Sequence, residues 1–282
     1  MHVLHLVPAI ITAGLLVGCG NGTYGDPPTT PLANQYGNGT RLCEVADGAG
    51  SHPLGPAPWE LLKLNPGIAC PNPISPDRSF YATGLTLVAI DDHDETGDGA
   101  TGNYYAQDTT CAGKPYSGIT IFGPSFSPPD LRLANNDVID VLGTVSEFVG
   151  PSNSHFRDCR TLPEAAGTIS FRFDSNGQPQ PTVVPLSDFM TYADARQWLG
   201  MLVKVENLTL TGNGATSSNR FTAPFTIGAA DSEDAKISDE LYDIQKDGPT
   251  LTSGTTFKSV TGIVTYFFGF HIAPRSPADF EQ

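Results

Sequence analysis

The stretch GMLVKVENLTLTG, Gly200 to Gly212, constrains the fold most. Met201, Val203 and Val205 alternate like the buried side of a β-strand, and Leu208 and Leu210 then resume the pattern one position out of step. A regular strand cannot change phase and keep one face buried. A bulge, or a bend that carries the strand between sheets, can. Small closed β-barrels need such strands, because their sheets must coil to close. The expectation is an all-β chain built on a small barrel.

Other segments agree. Strand text runs from Ala82 to Ile90, Asn103 to Asp108, Ser117 to Gly123 and Asp137 to Gly150. It returns at Gly167 to Phe173, Phe221 to Ile227 and Lys258 to Phe280. In the Asp137–Gly150 stretch Ile139, Val141 and Val145 share a face, and Gly143 stands where a sharp coil needs it. Helical text is sparse. Pro58–Leu64, Asp188–Gly200 and Ser238–Gly248, with Ser238 as N-cap, each predict a short helix. The 30 Gly and 24 Pro fit many turns and few long helices.

One echo links distant segments. Val141-Leu-Gly143-Thr-Val145-Ser-Glu-Phe148 matches Val260-Thr-Gly262-Ile-Val264-Thr-Tyr-Phe267 at the Val, Gly, Val, Ser/Thr and Phe positions. Two copies so far apart are not a periodic array. Both read as coiled barrel strands with Gly at the same kind of corner.

The N-terminus carries an apolar run, Val3 to Val17, too short to span a membrane and suited to a signal-peptide core. It ends in Leu16-Val-Gly-Cys19, which resembles the lipobox of bacterial lipoproteins. The resemblance implies cleavage after residue 18 and acylation of Cys19, with fatty acids such as palmitate on its thiol and amine. Several acyl chains hold a protein stably on a bilayer where one does not. Gly20 after the Cys resembles the pattern of outer-membrane lipoproteins. The expectation is an outer-membrane protein, lipid-anchored on the periplasmic face or the cell surface. Residues 19–40 are rich in Gly, Pro, Asn and Thr and read as a flexible tether.

Cys43, Cys70, Cys111 and Cys159 form an even set in an exported chain, which suggests two disulfides. Of three connectivities, Cys43–Cys70 with Cys111–Cys159 closes the most local loops. No pair has zinc-ligand spacing. Residues 41–80 then read as a Cys-stapled N-terminal extension, and 81–282 as the barrel domain.

Taken in order, the strand segments resemble the OB-fold-like domain of secreted bacterial proteins, some extracellular nucleases among them. The matching texts are Gly102-Asn-Tyr-Tyr-Ala-Gln-Asp108, Tyr116-Ser-Gly-Ile-Thr-Ile-Phe122, Asn136 to Gly150, Gln197 to Leu210 and Thr261 to Arg275. The resemblance implies an OB-like Greek-key small barrel with insertions and few short helices. The nuclease catalytic domain of some relatives is not expected, as the chain stops at Gln282.

Functional residues are harder to choose. Asp92, Asp94 and Asp98 partly fit calcium-loop spacing, but Thr96 and Asn103 replace two strong ligands. The alternatives are a weak calcium site and a solvated acidic turn, with no other cofactor expected. His52, His93, His155 and His271 form no recognisable catalytic pair, and G-x-S-x-G is missing. Tyr104, Tyr105, Trp198 and Tyr266 are the candidates for stacking a ligand on a barrel face, though alternation also places aromatics in cores. A net charge of −15 with scattered basic residues opposes nucleic acid. The reading is a non-catalytic, membrane-anchored binding or assembly module with a protein or glycan partner. The alternatives are nucleic-acid or oligosaccharide binding through the barrel face, then a hydrolase with an unrecognised site.

Overall fold

Strand β1, Ser79–Ile90, needs a bend to serve a small barrel, and it has one. Ala82 faces Val141 and Leu85 faces Ile139, so Thr83 and Gly84 bulge against one residue of the partner strand. Gly84 takes a left-handed φ of 72° there. This and the following description rest on a computed structural model that describes residues 32–37, 39, 41–42, 79–95, 97, 102–111, 113–126, 132–150, 156, 160–217, 219–229 and 233–282.

Around β1 stand β2 (Tyr104–Gln107), β3 (Gly118–Ile121), β5 (Asp137–Phe148) and β6 (Leu162–Asn176). Strand β1 pairs antiparallel with β2 and β5, β2 with β3, and β5 with β6. A parallel pairing of β3 with β6, Ile121 opposite Ala165, closes the ring. The two-residue β4, Ser125–Phe126, adds parallel to β6. This is a closed five-stranded Greek-key barrel with the OB order of strands, as expected. Leu85, Leu87, Ile119, Ile139, Val141 and Ile169 fill it. Gly143 lies opposite Gly167, where a Cβ would stand 1.9 Å from the carbonyl oxygen of Ala166. Only glycine permits that approach.

The expected single barrel over 81–282 is instead complete by Asn176, and a second sheet follows. Its strands are β7 (Thr182–Val183), β8 (Leu202–Thr209), β9 (Ala215–Ser217), β10 (Arg220–Pro224), β11 (Lys236–Ser238), β12 (Thr256–Tyr266), β13 (Phe270–Ala273) and β14 (Phe280–Glu281). Strand β8 pairs with β12, β12 with β13, β13 parallel with β11, and β11 with β10. One backbone bond, Thr211 N to Pro224 O at 2.9 Å, brings the end of β8 back to β10. Taken from β8, the strands follow the same order as in the first barrel. The Val-Gly-Val echo falls on β5 and β12, which hold the same place in the two sheets.

The phase change that marks Gly200–Gly212 occurs at Asn207, whose φ is 53°. Val203 and Val205 are buried before it, and Leu208 and Leu210 after it. The register with β12 is kept, Val205 opposite Val260 and Leu208 opposite Phe257, so this is a bend without an inserted residue. In β1 and β8 alike, the left-handed residue precedes Leu-Thr-Leu: Gly84 to Leu87, and Asn207 to Leu210.

Three short α-helices occur among the described residues: α1 (Leu32–Tyr36), α2 (Tyr192–Arg196) and α3 (Ile244–Asp247). None is long and apolar enough to cross a membrane. Helix α2 lies within the expected Asp188–Gly200 segment, capped by Thr191. Helix α3 starts later than expected. Asp243 caps it, accepting from Lys246 N at 3.0 Å, while Ser238 belongs to β11. The expected helix Pro58–Leu64 lies outside the described residues.

The tether expected over 19–40 is corrected at its C-terminal end. Leu32 N donates to Ser170 Oγ and Ala33 N to Asp140 Oδ2, both at 3.0 Å. Asp140 is fully buried and also accepts from Gly84 N and from Arg172 Nε at 2.7 Å. Tyr81 and Asp108 hold the strap further along, through Gly37 O and Leu42 N. A Gly- and Asn-rich composition does not reveal backbone amides that a buried carboxylate collects.

Candidate functional site

The first barrel and the second sheet, whose OB-like strand order makes it an open second barrel, meet along an apolar seam of Val88, Ala89, Tyr105, Leu202, Ile263 and Ala273. At one end of the seam lies a cluster of charged groups. The first barrel contributes Asp91 from the end of β1, Glu95 from the β1–β2 loop, and Tyr105 from β2. The second contributes Arg220 (β10), Asp239 and Glu240 after β11, Thr265 (β12) and His271 (β13).

Arg220 is the bridge. Its Nη2 lies 2.8 Å from Glu95 Oε1, and its guanidinium stacks 4.1 Å from the centre of the Phe267 ring. Glu240 is held by two hydroxyls, Tyr105 donating to Oε1 at 3.1 Å and Thr265 to Oε2 at 2.6 Å. His271 Nδ1 stands 3.9 Å from Oε2, within ion-pair range and beyond a hydrogen bond. Phe221 N donates to Asp239 at 3.0 Å.

Burial sets the protonation of these groups. It pushes Asp91 up to about 8, helped by the neighbouring charges of Glu240 and Glu95. It raises Asp239 to about 6 against the Phe221 amide, and it raises Glu95 against the pull of Arg220. For Glu240 burial is outweighed by His271, Arg220 and the Thr265 hydroxyl, and the carboxyl falls to about 2. Burial lowers His271 despite that carboxylate. Among the described residues, Asp91 Oδ1, Glu95 Oε2, Arg220 Nε, Ser238 Oγ and His271 Nδ1 are buried and meet no hydrogen-bond partner.

The sequence points to none of these as a set. Asp91 and Glu95 sit in the acidic loop, which was expected to be solvated or to bind calcium. The loop instead turns its carboxyls inward: Asp91 is 5% exposed, and the Glu95 side chain is 2% exposed. The calcium candidates Asp92 and Asp94 face solvent, and Asp98 lies outside the described residues. No three His, Cys, Asp or Glu among the described residues are placed to hold a metal ion. The one legible signal was His271, a lone imidazole in the apolar strand Phe270–Ala273.

Three of the four expected stacking aromatics are in cores, which corrects the expectation of an open platform. Tyr105 is sealed between the barrels with its hydroxyl on Glu240. Trp198 is buried and donates its indole N–H to Asp188 at 3.0 Å. Tyr266 packs edge-on against Phe156 and Tyr192, in a cluster that Phe148, Phe267 and Phe268 complete. Tyr104 alone is half-buried. Cys111 is buried and disulfide-bonded. Cys19, Cys43, Cys70 and Cys159 lie outside the described residues, as do His52, His155 and the signal peptide expected over 1–18.

An open cleft of about 400 Å³ flanks the same seam. Ile90 and Leu133 of the first barrel and Leu241 and Arg275 of the second line it.

Fold and site together define an all-β protein of OB-like architecture whose strand sets are joined through a buried polar cluster. No family model matches the chain, and no curated protein matches it.

Proposed function

We propose that this protein is a lipid-anchored, non-catalytic binding or assembly module of the bacterial envelope, held at the outer membrane through Cys19. The lipobox-like Leu16-Val-Gly-Cys19 behind an apolar run carries the anchor. An OB-like barrel is an architecture that presents loops and faces to polymeric ligands, which supports the binding role. The cleft between the barrels is the place for a segment of a protein or glycan partner, because pockets favour such seams. Two disulfides, with Cys111 paired to Cys159 and Cys43 to Cys70, belong to this reading.

Two observations weigh against the alternatives. His271 is buried beside Glu240, away from any surface a substrate could meet, which disfavours a hydrolase. The net charge of −15 disfavours nucleic acid. The test joins fractionation to crosslinking. Cys19→Ala should move the protein from the membrane to the soluble fraction. A photoreactive residue at Leu133 in the anchored protein should form a discrete adduct with one envelope component. Unchanged fractionation would sink the anchor, and adducts no different from those of an exposed control position would sink the cleft.

A further inference from the structure

The polar cluster between the barrels is a poor permanent joint. Carboxyls of Asp91, Glu95 and Glu240 face the guanidinium of Arg220, and Asp239 lies beside them, facing Glu95 and His93. Arg220 and Glu95 make one close contact where their shapes allow two parallel hydrogen bonds. The unused atoms, Arg220 Nε and Glu95 Oε2, are both buried and meet no partner among the described residues. A buried donor or acceptor without a partner costs stability, so this contact is weaker than its distance suggests.

The geometry also says which group decides the balance. Asp91 has the least support of the four carboxyls, a single backbone amide, that of His93. Glu95 has Arg220, Glu240 has two hydroxyls, and Asp239 has the Phe221 amide. Asp91 Oδ1 meets no hydrogen-bond partner among the described residues, and the carboxyl faces Glu95 and Glu240. From its own loop His93 and Glu95 surround it, and from β2 the Tyr105 hydroxyl. The second barrel packs Arg220, Asp239, Glu240, Thr265 and His271 into the same cluster, with Lys236 facing His271. A proton on Asp91 removes one of the mutually repelling charges. Its loss places a further anion among neighbours that already outnumber their cation.

We propose that this junction is a proton-operated latch: with Asp91 protonated, the segment Asp91–Glu95 is held on the second barrel through Glu95 and Arg220, and loss of that proton releases it. The backbone bonds of Asp91 with Asn103 and Gly102, both 2.8 Å, fix the base of the loop, so release acts beyond Asp91 and at the seam beside it. The direction follows from linkage. A carboxyl raised in the folded state stabilises it most below its unfolded value, near 3.8, and that stabilisation is lost as pH climbs to about 8. Asp239 acts in the same direction up to about 6. The latched form is the form of mildly acidic solution.

The test is amide hydrogen exchange of the full chain, corrected for the intrinsic pH dependence of exchange, at about pH 6 and about pH 9. Protection of the amides of Glu95 and Tyr105 should fall at least about tenfold between the two in the native protein, the effect of one displaced unit of pKa. Asp91→Asn cannot ionise and should keep its protection at both. Parallel loss in both proteins, or no loss in the native one, would overturn the latch. If Asp91→Asn does not fold, the carboxyl carbon of Asp91 in the native protein decides by NMR. A midpoint above about pH 6.5 supports the latch, and one below that overturns it.

Discussion

Gly118 and Gly200 meet backbone to backbone. A Cβ on Gly118 would stand 2.5 Å from the carbonyl carbon of Gly200, and one on Gly200 would stand 2.7 Å from the backbone of Ile119. Strand β3 of the first barrel is thereby seated on the corner between α2 and β8. Tyr116 N, which donates to Gln197 O at 2.7 Å, secures the contact.

Gly200→Ala should therefore cost about 2 kcal/mol or more. It pays the strain of a left-handed φ, 71° here, and must also push β3 away. Gly254→Ala is the control, with φ at 84° but open space around the added methyl. It should cost about 1 kcal/mol. Urea titration of both decides whether the excess belongs to the seam.

Arg220→Met should destabilise by about 3 kcal/mol near neutral pH, since it strands the buried Glu95 carboxylate. The penalty should shrink on acidification, as Glu95 takes up a proton and ceases to need a cation. Adding Glu95→Gln to Arg220→Met should recover much of the loss, because the charge is then gone altogether. A double-mutant cycle by chemical denaturation measures this. Additive losses would show that the pair is not coupled.

Asp140→Ala should free the N-terminal strap. The carboxylate collects Ala33 N, Gly84 N and Arg172 Nε, so its removal undoes one link of the strap and two inside the barrel. Limited trypsin digestion should then cut after Arg41 at least about ten times faster, the effect of losing roughly 1.4 kcal/mol of local protection. An unchanged rate would mean that the contacts at Thr83 and Asp108 suffice to hold the strap.

The fragment from Gly20 to Gln282 should not bind single-stranded DNA at physiological salt. Stacking contributes about 1–3 kcal/mol for each base, but the aromatics that might supply it, Tyr105, Trp198 and Tyr266, are buried. Counterion release needs clustered Lys and Arg, and the 15 basic residues face 30 acidic ones. Titration of a labelled oligonucleotide at low and moderate salt checks this. Micromolar binding that weakens steeply with salt would refute it.

The barrel strands were legible because their signal is local. Alternation at Ile139, Val141 and Val145, and the slip at Asn207, each report a buried face within a few residues. That the strands form two sets was hidden. Composition does not change between Asn176 and Thr182, and the strand closing the first ring, β6, shows only weak alternation. The polar junction was hidden for another reason. Asp91, Glu95, Arg220 and Glu240 are each unremarkable in their local text, His271 alone stands out in an apolar strand, and only the packing of one barrel on the other makes them neighbours. The stacking aromatics failed because the 2-residue period says which residues share a face, and is silent on which face is covered.

The two sheets draw their strand pairings from separate stretches of chain. Every ladder of the first lies between Ser79 and Asn176, and every ladder of the second between Thr182 and Glu281. A chain that emerges N-terminus first can thus complete the first barrel before the second is whole, since domains generally fold as units and the N-terminal one first. The seam, which needs both, is assembled last. During that interval Val88, Ala89 and Tyr105 present an uncovered apolar stripe, and the charges of Asp91 and Glu95 at its end are of the kind that discourages pairing through such a surface. The charges that strain the finished joint are, on this timetable, gatekeepers of its unfinished half.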